Sequence, residues 1–266
     1  MSEAETIFST PSPRTRSSLL SDLHQLGLTE GMTVIVHSSL SSLGWVCGGP
    51  VTVVQALMDA VTVTGTLVMP THSGHYSDPA GWQAPPVPED WWTIIRETMP
   101  AFDPKITPTR GMGQIVEVFR TCPDVMRSYH PESSFAAWGQ YAQGIVKDHS
   151  LDYSLGEGSP LARLYDLNSW VLLLGVDYDN CTCFHLAEYR SGKAKEINKQ
   201  APILESGQRV WKSYTDIDFD TDSFVELGAA FEQASQVKVS KVGSATAKLF
   251  SLRDAVDWAV RWFKSC

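Results

Sequence analysis

What the chain lacks narrows its function first. No run of residues is apolar for long enough to span a bilayer: the longest strongly hydrophobic stretch, 170–176, falls far short of the ~20 residues a membrane helix needs. Residues 1–18 contain no apolar segment of the kind a secretory signal carries, so a cytoplasmic setting is expected and membrane contact is not. Cysteine is sparse and odd in number, five residues at positions 47, 122, 181, 183 and 266, which read as reduced thiols and not as a disulfide framework. Positive charge is short as well: 21 Lys and Arg against 30 Asp and Glu leave a net charge of −9. The basic footprint of a nucleic-acid binder is therefore missing, whereas a negative surface suits the approach of a polycationic small molecule. There is no Gly-Lys-Ser/Thr of a Walker loop, no G-x-G-x-x-G, no internal repeat and no low-complexity tract.

What is present is an ordinary globular composition, 43% hydrophobic and 19% charged, enough to bury a core. Residues 1–17, with Pro11 and Pro13, read as a flexible N-terminal arm, and 18–266 as one domain. Apolar residues at 19, 20, 23, 26 and 28 predict an amphipathic helix over 17–28. Gly31 opens a buried strand at 32–37, which breaks into a small-residue stretch at 38–49 before Pro50 starts a helix carrying Val51, Val54, Leu57 and Met58. A second strand at 66–70 follows, completing the strand–loop–helix–strand grammar of a parallel sheet. Residues 72–90 form a long Pro/Gly/Asp/Trp-rich loop, of the kind that more often binds than merely connects. Further helices are expected at 91–98, 111–121, 138–146 and 184–192, with another buried strand at 170–176. Alternating segments at 209–219 and 236–250 flank a helix at 222–234, and a last helix covers 251–264. The expected architecture is α/β, a three-layer α/β/α arrangement with a largely parallel central sheet and an antiparallel C-terminal appendix.

Three segments carry chemistry. In the first, Ser38-Ser39-Leu40-Ser41-Ser42-Leu43-Gly44, backbone N–H groups and hydroxyls aimed toward a helix start form a phosphate cradle, though the same residues suit a tight packing turn. In the second, Thr107-Pro108-Thr109-Arg110-Gly111-Met112-Gly113, Arg110 brings a forked positive charge and Thr109 is placed either for a ligand or to cap a helix. The third, Asn180-Cys181-Thr182-Cys183-Phe184-His185-Leu186-Ala187-Glu188, puts His185 and Glu188 three residues apart on one helix face, with Thr182 just upstream. A carboxylate beside an imidazole fixes its tautomer and raises its basicity, as a general base requires. A nucleophilic Cys181 or Cys183 working through His185 and Glu188 is a rival reading, a cysteine-dependent hydrolase or acyltransferase.

Metal chemistry is not expected. Cys181-x-Cys183-x-His185 has the wrong spacing for zinc and no fourth ligand nearby, and His72 with His75 is a weaker version of the same idea. Asp216-x-Asp218-x-Asp220-x-Asp222 imitates the opening of a calcium loop, but Thr221 stands where glycine is required and Leu227 occupies position twelve. Alternation with Ile217 and Phe219 predicts an outward acidic strand face instead.

The combination resembles the aminoglycoside 3-N-acetyltransferase family, the antibiotic N-acetyltransferases distinct from the GCN5-related fold. The residues that carry the resemblance are His37-Ser38-Ser39-Leu40-Ser41-Ser42-Leu43-Gly44-Trp45, Met69-Pro70-Thr71 and the Thr107–Gly113 segment, then His130-Pro131-Glu132-Ser133-Ser134-Phe135-Ala136-Ala137-Trp138-Gly139, Ser159-Pro160-Leu161 and Thr182-Cys183-Phe184-His185-Leu186-Ala187-Glu188. The resemblance implies acetyl transfer from acetyl-CoA to the 3-amino group of a 2-deoxystreptamine aminoglycoside. It implies His185 as general base, Glu188 as its orienting partner, Thr182 at the oxyanion and His37 lining the site. Ser38, Ser39, Ser41, Gly44, Thr71, Thr109, Arg110 and Gly113 would hold CoA. The family usually reads Asn-Thr before this histidine, where this chain has Cys181 before Thr182 and its asparagine one position earlier. Candidate acceptor-binding residues are Tyr76 and Asp78 in the long loop and Asp216 and Glu226 near the C-terminus. The partners expected are thus a polycationic aminoglycoside and CoA, with a homodimer open and neither nucleic acid nor membrane. A non-catalytic CoA binder is the remaining alternative.

Overall fold

The structure is a computed structural model that describes residues 3–265; Cys266 lies outside them. In chain order its first elements are α1 (Glu3–Ser9), α2 (Arg16–Leu26), β1 (Thr33–Ser38), α3 (Gly49–Val61), β2 (Thr66–Pro70), α4 (Trp92–Thr98) and α5 (Gln114–Phe119). The middle contributes β3 (Met126–Arg127), β4 (Phe135–Gly139), α6 (Ala142–Val146), α7 (Pro160–Asp166), β5 (Trp170–Leu174) and α8 (Cys183–Ser191). The chain closes with β6 (Glu196–Glu205), β7 (Gln208–Ile217), α9 (Phe224–Ala234), β8 (Lys238–Val242), β9 (Ala245–Ser251) and α10 (Leu252–Ser265).

Local chemistry accounts for the elements that frame the site. Thr15 and Ser18 form a reciprocal cap at the start of α2, whose Leu19, Leu23 and Leu26 are buried. Strand β5 and the Val34–Val36 centre of β1 are apolar, as suits strands covered on both faces. Val34 and Val36, with Leu172 and Leu174, pack beneath α2, α3 and α5. Ile35, Val171 and Leu173 point the other way, into a second core shared with α7, α8 and α10. The segment read as an arm carries α1 and is stitched to the loop after β1: Arg14 exchanges backbone hydrogen bonds of 2.9 Å with Trp45 and Cys47.

The central sheet corrects the sequence expectation. It has seven strands in the order β3-β4-β2-β1-β5-β9-β8, and only β1–β2 and β1–β5 pair in parallel. The pairings β2–β4, β3–β4, β5–β9 and β8–β9 are antiparallel, so the sheet is mixed and not largely parallel. Two misreadings produced the error. Residues 135–139, taken in part as the start of a helix, are strand β4, laid antiparallel along β2 from Phe135 opposite Pro70 to Gly139 opposite Thr66. The β8–β9 hairpin, read as an appendix, belongs to the central sheet, because Ala247 and Leu249 are buried beside β5. The separate antiparallel piece is β6–β7, ten residues on each strand closed by a tight turn with both Ser206 and Gly207 at positive φ.

The three parallel strands β2, β1 and β5 lie side by side at the centre of the sheet. Their C-terminal ends point the same way and release the chain into the loops that carry His72, Ser38–Gly44 and Thr182, the usual place for a ligand crevice in an α/β sheet.

Candidate active site

His185 sits in the first turn of α8, directly after the β5 loop. Its Nδ1–H donates to Oε2 of Glu188 at 2.5 Å, and the other oxygen of Glu188 accepts the backbone N–H of Asp220 at 2.9 Å. The carboxylate is buried and bonded on both oxygens, so it can neither rotate nor leave the ring. Phe219 and Phe224 contact the imidazole, with ring centroids 4.6 and 4.9 Å away. In the neutral ring, an Nδ1–H held by Glu188 leaves the lone pair on Nε2. Thr182 stands at the N-cap of α8 but its hydroxyl makes no capping bond, which leaves it available to a ligand.

His185 lines a cavity of about 200 Å³ together with His37, His72, Asp179 and Thr182. Each of the three parallel strands thus delivers one imidazole at its C-terminal end: His37 from β1, His72 from just beyond β2, His185 from beyond β5. His37 and His72 are held neutral, their pKa values pushed down to about 3 chiefly by burial, with the neighbouring His185 opposing a second positive charge. The Nε2 atoms of both are sealed from solvent without a hydrogen-bond partner.

At Ser38, Gly111, Met112 and Asn180 this cavity opens into a cleft of about 780 Å³. Ser38, Ser39, Ser41, Gly44 and Gly113 all line that cleft, as do Gly49 and Pro50 at the N-terminus of α3. Ser42 ties the loop down through its hydroxyl, bonded to the carbonyl of Gly175 at 2.9 Å. No Lys or Arg lines the cleft among the described residues; hydroxyls, backbone N–H groups and a helix start are what it offers an anion.

A long cleft next to a cavity that holds a His/Glu pair is the frame for comparison with known proteins. The profile described as aminoglycoside 3-N-acetyltransferase matches residues 35–264. The chain belongs to the aminoglycoside 3-N-acetyltransferase family. It is 57% identical to the SPbeta prophage-derived aminoglycoside N(3')-acetyltransferase-like protein YokD of Bacillus subtilis over 256 residues, covering 96% of this chain and 94% of the relative. The crystal structure of YokD superposes with a TM-score of 0.97 over 98% of this chain and 97% of that one. Aminoglycoside N(3)-acetyltransferase VII of Streptomyces paromomycinus is 37% identical over 95% of this chain and 92% of its own. AAC-IIIb, solved as a binary complex with CoASH, is 31% identical, with a TM-score of 0.86 over 96% and 97% of the two chains.

Within this family member the remaining candidates separate. Thr71 is buried in a network with Ser134 and Arg127 and does not reach the cleft. Thr109 donates both its N–H and its hydroxyl to Glu117, which anchors the loop before α5. Arg110 turns away from the cleft into a second groove, of about 790 Å³, where it donates to the carbonyl of Ala84 at 2.9 Å. Asp78 lines that groove but caps Ala80 and pairs with Arg96 at 2.7 Å. Tyr76 packs edge-on to Phe102, and Glu226 is exposed on α9. Asp216 is fully buried, accepting from the hydroxyls of Ser154 (2.7 Å) and Tyr189, so the acidic strand face expected there does not present it outward. The reason is that β7 turns Tyr214 and Asp216 inward, against the loop that carries Ser154.

Sequence reading weighed His72 only for metal binding and Asp218 only within the calcium-loop-like acidic run. Asp218 and Lys199 line the groove, Lys199 pairing with Glu132 at 3.3 Å, and no spacing rule singles out Lys199. No cluster of three or more His, Cys, Asp and Glu suited to a metal occurs among the described residues. The thiols of Cys181 and Cys183 lie 3.4 Å apart, both buried, and burial raises Cys181 well above the ordinary thiol range, which removes the thiolate a cysteine nucleophile needs. No helix among the described residues is long and apolar enough to cross a membrane.

Proposed function

We propose that His185 is the general base with which this aminoglycoside N-acetyltransferase moves acetyl from acetyl-CoA to the 3-amino group of a 2-deoxystreptamine aminoglycoside, the reaction that confers resistance. The observation that carries the reading is the Glu188-anchored imidazole, its free Nε2 lining a cavity continuous with the serine-lined cleft. CoA lies in that cleft, its phosphates received by the Ser38–Gly44 loop and the start of α3. The acceptor approaches from the groove between residues 74–84 and β6.

The acceptor amine loses its ammonium proton to solvent and attacks the thioester carbon while Nε2 of His185 takes one of the two protons left on nitrogen, the other staying on the amide. The carbonyl electron pair moves onto oxygen, where the Thr182 hydroxyl stabilises it. Collapse restores the carbonyl, breaks the carbon–sulfur bond and leaves the pair on the CoA sulfur, which His185 reprotonates. A thiolate is a good enough leaving group that no acyl-enzyme is needed, so transfer is direct within a ternary complex. A cytoplasmic setting, where acetyl-CoA is available, belongs to the same reading, and a homodimer is tested by sedimentation at working concentration.

The experiment is CoA-thiol release over a panel of aminoglycosides with and without a free 3-amino group. Release confined to drugs with that amine supports the assignment. Equal release with drugs that lack it overturns the regiochemistry.

A further inference from the structure

The mechanism above leaves one group unused. His72 is tied into the fold by backbone hydrogen bonds at its own carbonyl and on both sides. Its backbone carbonyl accepts from Arg110 at 2.9 Å, and its neighbours Thr71 and Ser73 donate their N–H groups to Ser134 and Glu132, each at 2.8 Å. The ring stands edge-on to Phe135 at 5.5 Å. Its Nε2 is sealed from solvent and lacks a hydrogen-bond partner, and His72 is one of the residues that line the cavity containing His185 and Thr182. An unpaired polar atom buried in a reaction cavity costs stability unless a ligand completes it.

Near His72 lies Arg127, which donates to both chain neighbours of His72, Thr71 and Ser73. This guanidinium is largely buried and, among the described residues, donates only to hydroxyls and carbonyls: Thr71, Ser73 and Ser134 side chains and the backbone oxygens of Pro104, Thr71 and Thr107. No carboxylate bonds to it there; Glu117 favours its charge only through space. Arg127 is among the groups that oppose protonation of His72, whereas His37, the other unpartnered imidazole, carries no such influence. A positive charge near a neutral imidazole makes its N–H a stronger donor and favours negative charge on the group that accepts from it.

We propose that His72 is a further catalytic residue, a neutral imidazole whose Nε2–H donates to the thioester carbonyl oxygen and, with the Thr182 hydroxyl, completes a two-donor oxyanion site opposite His185. The inference rests on the acetyl-transfer reading. When the amine nitrogen bonds to the acetyl carbon, the carbonyl pair moves to oxygen and the Nε2–H bond shortens onto that charge. When the carbon–sulfur bond breaks, the pair leaves on sulfur and the carbonyl re-forms. His72 keeps its proton throughout, so the proton balance is that of His185 alone.

The test uses the full chain with His72→Ala and His72→Gln, the glutamine amide placing an N–H near the position of Nε2. His72→Ala is expected to lower kcat about 100-fold with both KM values within about threefold of wild type, and His72→Gln to recover much of the loss. The second readout needs no acceptor: the carbonyl stretch of isotope-labelled acetyl-CoA bound to the enzyme. It is expected at lower frequency in wild type and His72→Gln than in His72→Ala. Unchanged kcat and unchanged stretch in His72→Ala overturn the proposal, as does a loss of kcat that tracks only a fall in Tm or in acetyl-CoA affinity. If wild type binds acetyl-CoA with a shifted carbonyl yet acetylates no aminoglycoside, the acceptor assignment fails and the role of His72 stands.

Discussion

At the scale of single residues, the proposed role of His185 as base depends on which of its nitrogens carries the proton. Glu188 decides this, because its Oε2 accepts from Nδ1 while its Oε1 is fixed by the Asp220 N–H. Glu188→Gln removes the charge but keeps the shape, and the amide can equally donate to Nδ1. The expected result is a fall in kcat of tenfold or more with KM for acetyl-CoA near wild type, because the wrong tautomer is populated. Side-chain 15N spectra check the cause directly: one tautomer in wild type, a mixture in the variant. Unaltered tautomer and turnover would show Glu188 to be dispensable. This pair was legible in the sequence, since three-residue spacing on a helix imposes contact whatever the tertiary fold. Asp216 was not, because strand alternation says which residues share a face but not which face meets the core. His72 escaped for a different reason: its relevance comes from β2 lying beside β1 in the sheet, a relation between residues far apart in the chain.

At the scale of elements, the site is assembled by three short parallel strands and braced by a hairpin. Strands β1, β2 and the helix between them follow directly from the apolar runs and the Gly49-Pro50 helix start, and these were read nearly to the residue. What patterning could not reveal was strand direction. Ala136 and Ala137 of β4 are small residues that fit beside β2 in either sense, and only the path of the intervening chain makes the pairing antiparallel. The β6–β7 hairpin is fastened to the body by Asp216 with Ser154 and Tyr189, and by Glu132 with Lys199 and Tyr214. Asp216→Ala strands two buried hydroxyls, so it should cost about 1–3 kcal/mol of stability in urea unfolding while leaving CoA affinity unchanged. A normal unfolding midpoint with a raised KM for the drug would instead return Asp216 to the acceptor site.

At the scale of the whole molecule, four histidines are held as neutral rings, His37, His130 and His149 buried and His72 half-buried. Burial pushes His37 and His72 down to about 3, His149 to about 4 and His130 well below its ordinary value. Both His130 and His149 are fully bonded in the neutral form: His130 accepts backbone N–H bonds at Nδ1 and faces the Leu151 carbonyl at Nε2, and His149 pairs with Ser128 and the Ser154 carbonyl. Between the folded values and the unfolded value of about 6.5, the unfolded chain binds protons that the folded chain refuses. Stability from these residues is therefore complete above pH 6.5 and is lost as the pH falls below it, by about 1 kcal/mol per histidine near pH 5.5. Glu132, raised by burial, acts in the opposite sense but is a single group. Tm measured from pH 7.5 to 5.5 should decline steadily, and a flat profile would contradict the neutral assignment. None of this could be read from sequence, because burial of a histidine is a property of the assembled sheet.

The account as a whole turns on His185 removing the proton from the acceptor nitrogen. The direct measurement is single-turnover acetyl transfer by His185→Ala preloaded with acetyl-CoA, with CoA affinity determined in parallel. Transfer is predicted to slow by about 100-fold or more with CoA affinity within about threefold of wild type. Transfer at a rate close to wild type would contradict it.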